Sequence, residues 1–374
     1  MQMAIDVAGF TPAEADQLRQ AMGSKRSRER MERLRRRLYD GMAERGVSGD
    51  VADQIYMKLA SFANYGFPES HSVSFAYLVY SSAWIKHHYP AAFCAALLNA
   101  QPMGFYSPHT LVQDARRHGV EVRTPDVNES DWCATLEPCG TSEGGVAVRL
   151  GISYVRKVGE DLAKRIAAGR PYRDVEDVSR RTGASRPVLE AMATAGAFGC
   201  FGVDRRQALW TAGAAVEARP GRLPGTVIGL DAPTLPGMSP RELAVADLWA
   251  TGVAPDGHPT RFLRERLDAD GVLTAAGLGT AEPGSKVRVA GVVTHRQRPA
   301  TAGGTMFINL EDETGLINIV CSRGCWTHHR SVVRSAPALL IRGRLERADG
   351  VTNVIAEKIE QLVVPASVGS RDFR

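Results

Sequence analysis

The chain has 374 residues, 46 basic against 41 acidic, a formal net charge of +5 and 44% hydrophobic residues. That length allows two to three globular cores, and the mildly positive balance permits a polyanionic partner without requiring one. No apolar run reaches the roughly 18 residues of a membrane span, no basic-then-apolar leader opens the chain, and six irregularly spaced Cys do not form a disulfide framework; the expectation is a cytoplasmic protein with no membrane partner. Only seven of the basic residues are Lys and 39 are Arg, which suits phosphate recognition and equally suits a genome of biased base composition.

Residues 1–105 read as helical. Thr11, Pro12 and Glu14 have the spacing of a capping box with Pro at the first helical position. A highly charged stretch follows, with Lys25, Arg26, Arg28, Arg30, Arg33, Arg35, Arg36 and Arg37 around Met31, Leu34 and Leu38, an amphipathic helix with a basic face. Further helices are expected over Val51–Phe62, Ser72–His87 and Ala91–Asn99, with a break at Asn64–Pro68. Residues 106–215 are expected to be mainly helical, with a short hairpin near Trp132–Leu136 and Val146–Leu150. Residues 216–284 are rich in Pro and Gly and read as a linker with short helices near Arg241–Thr251 and Arg261–Leu267.

From 285 to 365 the pattern changes to strands: Lys286–Thr294, Met306–Leu310, Leu316–Cys321, Ala338–Leu345 and Val351–Leu362, with a helical segment near Trp326–Val333 between the third and fourth. Five strands in that order with that helix is the arrangement of an OB-fold barrel. Residues 366–374 are a tail. The fold class expected is therefore multidomain α + β: a helical segment, a helical tandem helix-hairpin-helix domain and a C-terminal five-stranded OB-fold β-barrel.

Two patterns point to nucleic acid. In Val155–Ile166, apolar Val155, Val158, Leu162 and Ile166 flank Gly159, where two short helices would meet. A glycine there lets the backbone approach a phosphate and exposes the N–H groups of the next helix, with Lys157, Lys164 and Arg165 adding charge. A weaker second unit spans Val175–Ala193 about Gly183-Ala184-Ser185. The same pattern is compatible with an ordinary helical hairpin. In the barrel, the loop His295–Gly304 carries Arg296 and Arg298, Phe307 and Asn309 alternate on strand two, and Arg342, Arg344 and Arg347 lie on or just after strand four. OB folds bind single strands on the face of strands two and three and through adjoining loops; alternatively Phe307 is core and the arginines are a solvated face.

Catalytic patterns are lacking. Cys321, Cys325, His328 and His329 have zinc-type side chains at close spacing, but no second ligand pair lies nearby in sequence, and the incidental reading is preferred. Asp268, Asp270, Asp126 and Glu129 suit solvated turns better than a two-metal site. There is no Walker A loop, no Gly-x-Ser-x-Gly and no His-Glu-x-x-His.

Phe62-Ala-Asn-Tyr-Gly-Phe-Pro-Glu-Ser-His71-Ser-Val-Ser-Phe-Ala-Tyr-Leu-Val-Tyr80, continuing to Trp84-Ile-Lys and Tyr89-Pro-Ala-Ala-Phe, resembles the fingers of the C-family bacterial DNA polymerases, the family of the polymerase III alpha subunit. Gln101–Pro108, Asp114–Gly119, Ala195–Phe201, His295–Thr301 and Phe307–Gly315 resemble its error-prone branch. The resemblance covers essentially the whole chain in order, as fingers (1–105), tandem helix-hairpin-helix domain (106–215), linker (216–284) and OB fold (285–365). It implies a C-terminal portion: the palm's Pro-Asp-x-Asp-x-Asp pattern of catalytic aspartates is not in this sequence.

By resemblance, Arg19, Lys25 and Arg26 would contact the triphosphate of an incoming dNTP, with Ser70 and His71 shaping the same pocket; Gln20 stands where many relatives have Arg. Gly159 and its neighbours would contact duplex backbone, and Arg296, Arg298 and Phe307 the single-stranded template. Mg²⁺ would belong to the absent palm, with no cofactor in this chain. No clamp-binding peptide is visible, so a sliding clamp would be reached through an accessory protein. The function implied is damage-induced, error-prone (translesion) DNA synthesis and repair by the intact enzyme, with this chain binding DNA without polymerising. The alternatives are a standalone helix-hairpin-helix/OB-fold nucleic-acid-binding protein and a non-functional gene remnant.

Overall fold

The computed structural model of the chain describes residues 2–22, 27–62, 69–104, 106–218, 223, 226–299, 302–348, 350–365 and 370–373. It falls into two compact units, Met1–Trp84 and Ile85–Arg374.

The first unit is helical: α1 (Gln2–Ala8), α2 (Pro12–Met22), α3 (Ser27–Glu44), α4 (Asp50–Phe62) and most of α5 (Glu69–His88). The capping box at Thr11 forms as its spacing implies. Glu14 N donates to Thr11 Oγ1 at 3.2 Å and Thr11 N donates to Glu14 Oε2 at 2.7 Å; these bonds, first among several causes, hold the Glu14 carboxyl below its ordinary range. Leu38 and Met42 of α3 are buried with Ala4, Ala8, Phe10 and Leu18, while Arg33, Arg35 and Arg36 stay exposed, so burial of the apolar stripe leaves the basic face in solvent. Gly41 is required here: a Cβ on it would lie 2.0 Å from the Ala8 carbonyl oxygen, and only a bare backbone lets α1 and α3 come so close. In α5, Val73, Tyr77, Leu78, Val79 and Tyr80 are all more than half exposed.

The second unit begins with the end of α5, α6 (Pro90–Asn99) and α7 (Pro108–Arg117). A small sheet of β1 (Val122–Arg123), β2 (Thr135–Pro138) and β3 (Val146–Arg149) follows in the order β1-β3-β2; the expected hairpin is β2–β3, and β1 adds a parallel edge of two residues that periodicity did not signal. Next come α8 (Glu160–Ala168), α9 (Val175–Thr182), α10 (Arg186–Thr194) and α11 (Arg205–Ala215), packed about a core of Ile152, Ile166, Val178, Leu189, Met192 and Phe198.

The segment expected as a linker is packed over much of its length. Its two helices are α12 (Pro240–Thr251) and α13 (Arg264–Ala269). Ala244, Ala246 and Ala250 of α12 are buried, and Asp247 pairs with Arg205 of α11 at 2.7 Å. Val253 joins the core that α6 and α7 share with the small sheet.

The barrel consists of β4 (Lys286–Gln297), β5 (Met306–Glu311), β6 (Leu316–Cys321), β7 (Ala338–Ala348) and β8 (Val351–Gln361), with two short helices, α14 (Arg323–His328) and α15 (Arg330–Ser335), where one was expected. The pairing runs β5-β6-β8-β7-β4 and closes through β4–β5. A sixth strand, β9 (Arg371–Phe373), pairs parallel with the end of β4. Val287, Val289 and Val293 alternate into the barrel core, as expected, while Ala290 on the opposite face is also covered, by Leu267 and Val272.

Barrel and helical body are joined by the run Glu311-Asp312-Glu313. Glu311 is buried and accepts from Thr110 Oγ1 at 2.9 Å and Arg117 at 3.0 Å. Glu313 accepts from Thr260 Oγ1 and from Arg264 Nε, both at 2.5 Å. Beside this joint His109 and His258 stack, ring centroids 5.6 Å apart. Burial, and next the Arg117 charge, bring His109 down to about 4; burial likewise holds His258 well below its ordinary value.

Candidate nucleic-acid interface

The first hairpin is built differently from the expectation. A single 3₁₀ turn, Ile152–Tyr154, stands where a first helix was anticipated, and the chain turns through Val155–Val158 into α8 with Gly159 as its N-cap. Val155, Val158, Ala163 and Ile166 are buried and fix the turn to the body. Lys157 has φ = +67°, the one non-glycine residue with positive φ among the described residues; an L side chain there stores strain, which concentrates at functional sites. A Cβ on Gly159 would meet nothing within 4 Å, and Gly159 itself has φ = −77°. Neither packing nor backbone conformation requires that glycine, so what its bareness leaves open is the approach from solvent.

Charge around this hairpin is mixed. Glu160 and Asp161 occupy the first turn of α8, where carboxylates already answer the helix dipole. Lys164 is exposed but bound to Glu160 at 2.5 Å, with its ammonium 4.8 Å from the Trp132 ring. Lys157 and Arg165 are exposed and carry no ion pair among the described residues.

The second hairpin is the more complete. α9 ends on Gly183 in the left-handed conformation (φ = +65°), and α10 starts from Ser185, whose hydroxyl makes no capping bond. No acidic residue lies in the first turn of α10, but Pro187 has no N–H and Val188 N donates to the Ser185 carbonyl, which leaves the Arg186 N–H as the donor that turn offers an anion. The sequence signal was present: Arg186-Pro187-Val188 after a cap residue, without an acid. The neighbouring Arg173, Arg180 and Arg181 are tied to one carboxylate, Asp177.

On the barrel, register places side chains in two transverse rows. Gln297 pairs with Phe307, Phe307 with Val320, Val320 with Ile355, and Ile355 with Arg344. One step along, His295, Asn309, Asn318, Asn353 and Glu346 form the parallel row. Phe307 is 38% exposed, and Asn309 Nδ2 donates to Asn318 Oδ1 at 2.8 Å. Alternation of side chains keeps both rows on one face, an apolar-aromatic line beside a line of amides. Arg344 shares the row of Phe307 three strand spacings away, roughly 14 Å, and is bound to Glu346 at 3.0 Å. Arg342 is exposed on β7, paired across the strands with Arg288 and Lys358.

Arg296 must be moved out of the predicted interface. β4 runs on to Gln297, so the loop begins later than expected, and Arg296 points inward at 5% exposure. Its guanidinium donates to the carbonyls of Val333 (2.6 Å) and Ala336 (2.5 Å), to Ser370 Oγ and to the Asp372 carboxylate. It ties β9 and the helical cap to the barrel. Arg298 remains at the surface, its guanidinium 3.9 Å from the centre of the Trp326 ring. Arg347, also named on sequence, is turned to the carbonyls of Leu278 and Gly279.

Of the nucleotide candidates, Arg19 lies in α2, Ser70 and His71 lie in the first turn of α5, and Lys25 and Arg26 fall outside the described residues. Gln20 donates to Asp16 at 2.7 Å. Cys321 is buried at the end of β6, and among the described residues no group of three or more His, Cys, Asp or Glu is placed to hold a metal ion. No helix among them is long and apolar enough to cross a membrane.

Comparison with known proteins agrees with this layout. Residues 1–46 match the family model of the bacterial DNA polymerase III alpha subunit finger domain, 119–208 that of the helix-hairpin-helix motif, and 287–362 that of an OB-fold nucleic acid binding domain. Proteins named error-prone DNA polymerase from Mycobacterium bovis and Nocardia farcinica are each 58% identical to this chain over its whole length, and one from Corynebacterium glutamicum is 50% identical. The chain spans about a third of the length of these relatives (34%, 33% and 35%), at their C-terminal ends. Among solved structures, asparaginyl-tRNA synthetase from Pyrococcus horikoshii overlaps 26% of this chain and 23% of its own with 22% identity and a TM-score of 0.22, a likeness too slight to carry an argument.

Proposed function

We propose that this chain, which is similar over its whole length to the C-terminal third of proteins named error-prone DNA polymerase, is the part of such an enzyme that holds nucleic acid. The two hairpins grip duplex backbone, without reading sequence, and the Phe307–Asn309 face of the barrel holds the single-stranded template by stacking and amide contacts. The finger segment supplies Arg19, Lys25 and Arg26 to the triphosphate of an incoming dNTP, where charge-assisted contacts suit them, with Ser70 and His71 beside it. Phosphoryl transfer with Mg²⁺ belongs to palm carboxylates outside this sequence, so the chain alone binds DNA and does not extend a primer. In the intact enzyme the activity serves damage-induced translesion synthesis, with the sliding clamp reached through an accessory protein.

The observation that carries the reading is the barrel face: one exposed aromatic in line with apolar and amide rows across five strands, on a domain whose family model is a nucleic-acid-binding one. Fluorescence anisotropy with labelled single-stranded and primer–template oligonucleotides tests it. Affinity for both should fall steeply with salt, and Phe307→Ala should weaken single-strand binding by roughly 1–3 kcal/mol. Primer extension by the purified chain with Mg²⁺, or no binding at low salt, would sink the proposal.

A further inference from the structure

We infer that the helical cap between the third and fourth barrel strands, through Arg298, Arg323, Arg330 and Arg334 arranged about Trp326, is a second nucleic-acid contact that takes the phosphate backbone of the strand leaving the Phe307 face. The inference rests on the barrel reading above and adds a site to it.

These residues form one continuous surface. The Arg298 and Arg330 guanidiniums lie 3.9 and 5.2 Å from the centre of the same indole ring. A Cβ on Gly304 would come within 3.6 Å of both the Arg323 side chain and an Arg298 Nη, so the Arg323 and Arg298 side chains flank one point of the loop. Arg330 and Arg334 are four residues apart on α15, hence on one side of the helix. The surface adjoins the face directly: Arg298 follows Gln297, the cross-strand partner of Phe307, about one strand rise of 3.3 Å further on.

The cluster is uncompensated. Among the described residues none of these four arginines reaches a carboxylate, whereas Arg264, Arg296 and Arg344 of the same region each do. From Thr314 to Leu345 the sequence contains no Asp or Glu, against five Arg and two His. Like charges four residues apart on a helix repel, and two guanidiniums on one ring repel as well. Such an arrangement gains most from a polyanion. Stacking on the indole also restrains the guanidiniums beforehand, so less side-chain freedom is lost when a phosphate binds. The ring itself is half-buried beneath the arginines, which leaves the contact electrostatic and indifferent to base identity. A regular polyanion of fixed spacing that emerges from the neighbouring stacking face is a nucleic-acid strand.

The test uses the full chain and a fluorescein-labelled oligothymidylate, with anisotropy read from low to high KCl. Each single-strand phosphate contact contributes about 0.7 to the salt slope. Arg323→Gln/Arg330→Gln should lower the slope by about 1.4, which is about 25-fold in affinity at 0.1 M salt if the curves meet at 1 M. Phe307→Ala should instead lower affinity at every salt concentration with the slope unchanged. If Phe307→Ala weakens binding while the double variant, and Arg330→Glu after it, leave slope and affinity as they were, the arginine site is wrong and the face stands. If the wild-type chain fails to bind, both fail. Equal affinity for polyglutamate of the same charge would overturn the assignment to nucleic acid.

Discussion

Replacing Lys157 by Gly should make the protein more stable and its grip on DNA weaker. Lys157 sits at φ = +67°, where an L residue costs about 1–2 kcal/mol. Its side chain is exposed and makes no ion pair among the described residues, so nothing of packing is lost. Glycine removes the strain and adds about 0.4–1 kcal/mol of unfolded-chain entropy, leaving a net gain of roughly 0.5–1 kcal/mol. Removing one ammonium from a duplex-backbone contact should flatten the salt slope by about 0.9. Urea unfolding followed by tryptophan emission reads the first number, since Trp132, Trp210, Trp249 and Trp326 all lie in the Ile85–Arg374 unit. Anisotropy on a labelled duplex reads the second. Lys157→Asn separates them: Asn tolerates the left-handed region and lacks the charge, so its slope should fall as far as that of glycine. A Lys157→Gly protein that is less stable would refute the strain argument. A stabler one with an unaltered salt slope would remove the first hairpin from the DNA site.

Gly159→Ala should change stability by no more than about 0.5 kcal/mol, because a Cβ there touches nothing and the poorer N-cap offsets the entropy gain; duplex affinity should nevertheless drop severalfold in anisotropy, and equal affinity would show that no backbone approaches it. Glu311→Ala leaves the Arg117 guanidinium, 19% exposed, without its buried partner and should cost about 3 kcal/mol in urea unfolding; a loss under about 1 kcal/mol would mean that the joint does not hold the barrel. Acidification should destabilise through His109: its folded value of about 4 lies below the ordinary 6.5, so the unfolded chain takes up the proton first and stability is lost as pH falls from 6.5 toward 4, by about 1 kcal/mol at pH 5.5. Asp247, raised to about 6 by burial, acts in the opposite sense. His109→Asn, which can keep an acceptor for Ala254 N, should remove the His109 share of the pH 7.5-to-5.5 difference, and an unchanged difference would exclude it.

What the sequence revealed follows the range of the interaction involved. The Thr11–Glu14 box spans three residues, and its signal is complete in the residues themselves. The strand alternation about Val287 is local in the same way. Arg296 could not be read, because its burial depends on how far β4 extends and on Ser370 and Asp372, over seventy residues away. The Pro-rich segment misled for a different reason. Pro240 stands at the first position of α12 behind Ser239, whose backbone and hydroxyl close a capping box with Glu242, and Pro259 opens a 3₁₀ turn capped by His258. Read as helix starts rather than by composition, these prolines announce packed structure. Apolar spacing favours the first hairpin over the second, but Glu160 and Asp161 at the start of α8 and the absence of an acid at the start of α10 are equally local signals.

The charge of the barrel explains both its joint and its outer field. Residues 285–365 hold eleven basic and seven acidic side chains, a balance of +4 out of +5 for the whole chain. Three of those seven acids are Glu311, Asp312 and Glu313. Glu311 and Asp312 are fully buried, and the carboxylates of the run face Thr110, Arg117, Thr260 and Arg264 of the helical body. Acids withdrawn into the joint cannot screen the barrel's outer arginines, so the interaction that fixes barrel to body also leaves the half-buried Arg298 and the exposed Arg323, Arg330 and Arg334 as unbalanced positive charge. A fixed joint further holds the hairpins and the barrel face at constant separation, as one strand passing from duplex to single-stranded template requires. Loosening the joint at Glu311 should therefore weaken binding to a primer–template junction more than to either an isolated duplex or an isolated single strand, since only the junction engages both sites at once.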